Sequence, residues 1–220
     1  MAGEEPTGRE PEHVPGNRSY EHKVAQLHNR VLQLHSLGWE TGAGAAVWAR
    51  AVSDELARHE AARESFGATN SREAWERLHS TAFLLVVAID QVVAFEGRIR
   101  SLTGDAELFR ARDRFDSVAP QTEDLRDLVI HLDDYAVSQG WRQTGHADPP
   151  IAEPYLASSV YWVDGGGTIL SLGDESLDLR TAANAAVELA EVAERVREKH
   201  LRRAEHEANA ALRRQRGLDR

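Results

Sequence analysis

Cysteine is absent from this 220-residue chain, which excludes disulfides and thiolate-based metal sites. Lysine is nearly absent as well. It stands only at positions 23 and 199, so arginine carries almost all the positive charge. With the abundant alanine, that balance is the composition of a high-GC genome. Aromatic residues make up 6%. No long apolar run is obvious either. The most apolar stretch, Thr81 to Ile89, stops at Asp90, far short of the ~20 residues a membrane span needs. The N-terminus, Met-Ala-Gly-Glu-Glu-Pro, is acidic and polar and has none of the pattern of a secretory leader. These absences predict a soluble, cytoplasmic protein with no membrane partner.

What is present suits a helical protein. Hydrophobic residues make up 41% of the chain, enough for a real core. At roughly 100–200 residues per domain, one domain plus tails is expected. The formal net charge is −10, which disfavours nucleic acid in general because phosphate repels it. The charge is uneven, however. Arg195 to Arg220 holds nine Lys or Arg against four Asp or Glu, a surplus of +5 that leaves −15 for the remainder. Such a basic end suits RNA, an acidic partner or the chain's own body, and equally a solvated helix terminus whose arginines complement the helix dipole.

Hydrophobic spacing divides the chain. Residues 1–19, with Pro6, Pro11 and Pro15 among charges, read as a disordered tail. Val24, Leu27, Val31 and Leu34 recur at helical spacing between Tyr20 and Leu37. A second helix is expected over Ala45–Ser65. A third, capped by Asn70 or Ser71 and apolar nearly all round at Phe83–Ile89, runs to about Leu102. Shorter helices follow at Ala106–Phe115 and Thr122–Ser138. Val160–Val163 and Thr168–Leu172, joined by Asp164-Gly-Gly-Gly, read as a β-hairpin spanning about 159–172. The triple glycine is followed by no Gly-Lys-Ser/Thr, so it reads as a turn and not a phosphate loop. A final helix starts near Asp178 and turns Ala182, Ala186, Leu189, Val192, Ala193 and Val196 inward. The expected fold is therefore mainly α: a bundle of five or six helices over 20–204 with one small β-hairpin insertion, then a basic tail over 205–220.

One segment stands out chemically. Arg126-Asp127-Leu-Val-Ile-His131 pairs a permanent cation with an imidazole on a predicted helix. At 100° per residue from Arg126, Leu125, Leu128, Val129 and Leu132 cluster between about 200° and 300°. Arg126, Asp127 and His131 fall within about 140° on the other side. Asp127 and His131 are four residues apart, a spacing at which the carboxylate can orient the ring. Ile130 lies on the same polar face, where an apolar side chain suggests a second surface. RNA cleavage by its own 2′-hydroxyl needs a base, an acid and a cation for the charge on phosphorus. Histidine can supply the first two and arginine the last, with no metal or cofactor.

On these residues the chain resembles the HEPN superfamily, helical domains of many prokaryotic toxin–antitoxin and defence ribonucleases. Their motif is an arginine, often followed by Asn, Asp or His, with a histidine four to six residues after the arginine. The resemblance implies an all-helical bundle, a homodimer with facing motifs, an antitoxin partner, and metal-independent endoribonuclease activity leaving 2′,3′-cyclic phosphate ends. Arg126, Asp127 and His131 would be the catalytic residues. The other reading is a non-enzymatic helical protein that dimerises and binds a partner. The bare spacing occurs twice more, at Arg30–His35 and Arg195–His200, without the polar second residue. No His-x-x-x-His pair is present to predict a metal site. The tryptophans read as core or hairpin anchors, with Trp141 a candidate for base stacking.

Overall fold

The computed structural model describes residues 16–39, 44–131, 158–163 and 167–215. Six helices lie among them: α1 (Gly16–Trp39), α2 (Ala45–Thr69), α3 (Arg72–Thr103), α4 (Ala106–Val118), α5 (Thr122–Ile130) and α6 (Leu179–Gln215). Between α5 and α6 stand β1 (Ser158–Val163), β2 (Gly167–Leu172) and β3 (Glu175–Asp178). The expected mainly helical bundle with a small antiparallel hairpin is what forms.

Local chemistry sets the helix ends. Asn70 closes α2 in the left-handed conformation at φ 46°, and its N–H donates to Phe66 O. Ser71 then caps α3 by accepting from the Ala74 N–H, with Glu73 in the first turn favouring the positive end of the helix dipole. Gly104 ends α3 at φ 60°, a backbone region that costs glycine nothing. The adjacent Asp105 caps α4 through the Glu107 N–H. Asp178 does the same for α6, accepting from the Thr181 N–H at 2.9 Å.

At the centre lies α3. Leu78, Ala82, Leu85, Val86, Ile89, Val92 and Ile99 are buried against α2, α5 and α6. By length and composition it is also a helix that could cross a membrane, yet 61% of its most apolar window is buried inside the bundle. It combines two charged ends with an apolar middle because three helices cover it. The inward face of α6 is made of small residues as expected, with Ala182, Ala183, Ala186, Ala190 and Ala193 all buried. Short side chains let α6 approach α2 and α3 closely, which favours dispersion contacts.

Three details depart from the expectation. First, the sheet has three strands in the order β1-β2-β3, all antiparallel, not two. Gly173, at φ 56°, makes the extra turn. Leu170, Leu172 and Leu177 are buried, so β3 adds its one leucine to the same apolar cluster. Second, α1 begins at Gly16, inside the stretch read as tail. Third, α6 continues to Gln215, so most of the expected basic tail is helix. The α6 core stripe continues past the bundle to Ala204, where α1 packs on it. That contact makes the extension worth ordering. The remaining tail residues and the Asp164-Gly-Gly turn lie outside the described residues, as do Trp141 and the loop around 145–154.

Candidate active site

The segment singled out in the sequence sits on α5. Leu125 and Leu128 are buried, Val129 is partly so, and Ile130 is 51% exposed. The helix was expected to run through to Ser138. It ends at Ile130, and His131 is its C-terminal cap residue with φ −106° and ψ 27°. Its N–H still donates to Asp127 O at 3.1 Å, so the ring keeps an i,i+4 relation to Asp127. Leu132 and the following residues lie outside the described ones.

Arg126, Asp127 and His131 are brought together. His131 Nε2 is 3.8 Å from Asp127 Oδ1, an ion-pair distance and longer than a hydrogen bond. The His131 side chain is 50% exposed. Arg126 does not point away from the core as its helical angle suggested. Its Nε lies 3.5 Å from Asp90 Oδ2 on α3, and its Nη1 is 4.0 Å from Asp127 Oδ1. Arg126 borders Val129 on the edge of the core stripe, so a long side chain there can reach back to α3.

Asp90 is the residue that sequence reasoning missed. It is 9% exposed, and burial raises its pKa while the Arg126 charge opposes that rise. A signal was present: one carboxylate directly after a nine-residue apolar run must find a cation. Which cation it finds depends on how α5 crosses α3. The opposite end of α5 is held by Gln121, whose Oε1 accepts from the Ser176 N–H of β3. The sheet and α3 thus fix α5 at both ends.

The other two Arg-x4-His segments are used differently. Arg195 pairs with Glu107 at 2.6 Å, and His200 Nε2 lies 2.9 Å from Asp105 Oδ2, with Lys199 on the same oxygen at 3.0 Å. The Glu107 N–H, His200 and Lys199 together hold the Asp105 carboxyl well below its usual range. That cluster fastens the start of α4 to α6. His35 pairs with Glu205 at 3.0 Å and fastens α1 to α6.

Two further polar clusters are buried. Glu96 is fully buried beside Arg100, at 2.8 Å, and Arg112, at 3.7 Å; burial raises its pKa against the pull of both arginines. His59 is 1% exposed with Nδ1 3.2 Å from Thr81 Oγ1. The Thr81 hydroxyl donates to α3 carbonyls, so the ring donates to the hydroxyl, and its Nε2 has no hydrogen-bond partner among the described residues. Burial lowers this imidazole to about 4. Trp48 packs against the core, whereas Trp75 is 44% exposed and rests on the His79 ring, against the expectation of a core anchor. Among the described residues no three His, Asp or Glu side chains converge as metal ligands. A groove of about 430 Å³ between α4 and α6, lined by Arg114, Val118, Asn184 and Glu188 among others, includes none of the α5 residues.

No family model, curated protein or solved structure matches the chain. The chemistry of the site therefore rests on its own residues.

Proposed function

We propose that the chain is a metal-independent endoribonuclease of the HEPN type, working in a toxin–antitoxin or defence setting. The observation that supports this best is the grouping of Arg126, Asp127 and His131 at the exposed end of α5, with the guanidinium oriented by Asp90. In the reaction the substrate's 2′-oxygen forms a bond to phosphorus and the bond to the 5′-oxygen breaks. The products are a 2′,3′-cyclic phosphate and a 5′-hydroxyl. His131 moves the proton, Arg126 balances charge on the phosphate oxygens, and Asp127 restrains the ring. One histidine per chain supplies one acid–base group. A homodimer with facing motifs supplies two, and the exposed Ile130 beside the motif gives such a contact an apolar residue to bury.

The test is RNA cleavage in EDTA, scored for cyclic-phosphate ends, with His131→Ala and Arg126→Lys as the variants. Both lose activity if the reading is right, because an ammonium cannot reproduce a two-pronged phosphate contact. Light scattering at micromolar concentration is expected to give twice the 24.4 kDa chain mass.

A second reading has its own support. Arg126 already lies between two carboxylates, so the folded chain itself neutralises much of its charge. A non-enzymatic helical protein that dimerises and binds a partner would use the ion pair only to seat α5. Wild-type protein inactive on every RNA tried, with dimerisation intact, would establish this reading instead.

A further inference from the structure

The charge of the molecule is divided between two regions. α1 carries three Lys or Arg and one Glu, and Arg195–Arg220 has a surplus of +5, so the chain's net −10 leaves −17 for everything else. The two basic stretches are side by side. α6 is the main partner of α1, and the two run antiparallel: Arg197 donates to Leu34 O, while Glu207, further along α6, lies in the fields of Arg30 and Lys23, earlier on α1. At 1.5 Å per residue α6 is about 55 Å long. Its C-terminal part and α1 form a two-helix arm.

The cations on this arm are arranged along one face. Lys23 and Arg30 are seven residues apart on α1, and Glu207 and Arg214 are seven apart on α6, so each pair shares a helix face. Arg203 is bonded to Glu207 at 2.8 Å, and Glu207 also lies in the fields of Arg30 and Lys23. One carboxylate thus serves a group of cations. Lys23, Arg30, Arg213 and Arg214 are exposed and make no ion pair with a described residue. On the body, Arg72 pairs with Glu76 and Arg77 with Glu73, whereas Arg98 of α3 is exposed without an ion pair to a described residue.

We propose that this face of the α1–α6 arm binds the phosphate backbone of single-stranded RNA. Exposed cations with no ion pair to a described residue, spaced along two neighbouring helices, suit a chain of phosphates, and they attract it by releasing its counterions. The acidic body repels the same backbone, so the arm sets where RNA first lands. The purpose of the surface rests on the nuclease reading, but its test does not.

The probe is a fluorescein-labelled oligouridylate of roughly 20 nucleotides, enough to span a binding face of this kind. Binding is followed by anisotropy in EDTA with the full-length His131→Ala protein. Adding Lys23→Gln, Arg30→Gln and Arg214→Gln should weaken binding at least about tenfold at low salt. It should also lower the slope of log K against log salt by about 2, at ~0.7 per phosphate contact. A matched loss of charge on the body, Arg58→Gln with Arg72→Gln and Arg77→Gln, should change neither. All six side chains are exposed, and circular dichroism checks that the variants fold. The proposal is overturned if the parent does not bind at low salt, or if the arm variant keeps the parent's affinity and slope. It is also overturned if polyglutamate competes as well as oligouridylate, which would make the surface one for an acidic protein. Binding without cleavage in the wild type would sink the nuclease reading alone; cleavage with an unchanged arm variant would sink this proposal alone.

Discussion

Arg126–His131 and Arg195–His200 have the same spacing and opposite fates. In the second, both side chains are tied to the start of α4, and the His200 side chain is only 13% exposed. In the first, the arginine is held from behind by Asp90 while the histidine stays half in solvent. Spacing on a helix thus brings a cation and an imidazole near each other, but the neighbouring helix decides whether both are tied into the fold or the imidazole stays half in solvent. The second residue differs too: Asp127 lies within reach of both Arg126 and His131, whereas Val196 is buried.

The strongest way to break this comparison is to remove each histidine and measure both activity and stability. His131→Ala should lower metal-independent RNA cleavage by about 10²–10⁴-fold, the usual cost of losing a positioned acid–base group. Urea melting should leave its stability near wild type, because the ring is exposed. His200→Ala should show the reverse: full cleavage and a stability loss of about 1–2 kcal/mol, from a part-buried hydrogen bond to a carboxylate. Equal losses of activity in the two variants would abolish the distinction.

A third histidine sharpens the comparison through pH. His59 titrates at about 4 in the folded chain because burial disfavours its charged form. In the unfolded chain it has its ordinary value of ~6.5. The unfolded state therefore binds more protons between those values. The stability this residue contributes is fully present above ~6.5 and is lost as pH falls toward 4, by about 3 kcal/mol in all. Denaturant midpoints measured from pH 7 to 4 should fall, and His59→Leu should flatten the decline. An unchanged slope in that variant would move the effect elsewhere.

Asp105→Ala comes next in size. It removes the α4 cap and the shared partner of His200 and Lys199, and should cost about 2 kcal/mol by urea melting with cleavage intact. The smallest expected effect is Asp127→Asn. The amide oxygen keeps an acceptor facing the ring, so cleavage should fall less than in His131→Ala. A loss equal to that variant's would mean the carboxylate charge itself is required.

Much of the architecture was legible before any coordinates. Helical spacing located α1 to α4 and the start of α6 to within a few residues, because the apolar stripe of an amphipathic helix is a local pattern. The α3 cap, read as Asn70 or Ser71, is Ser71, through capping chemistry that involves only its neighbours. The strands Val160–Val163 and Thr168–Leu172 were likewise readable from apolar content and the glycines between them. β3 was not, because four residues carry too little pattern and only pairing with β2 makes Glu175–Asp178 a strand.

By itself the sequence determined the helices, their inward faces, the small-residue side of α6 and the clustering of Arg126, Asp127 and His131. Each depends on residues within a turn or two of one another. The tertiary structure alone decided that Arg126 turns to Asp90, that Arg195 and His200 are committed to α4, and that Lys23 and Arg30 of α1 lie near Glu207 of α6. These depend on which helices cross and where. A long charged side chain settles on whichever opposite charge the packing brings within a few ångströms, and no local pattern encodes that choice.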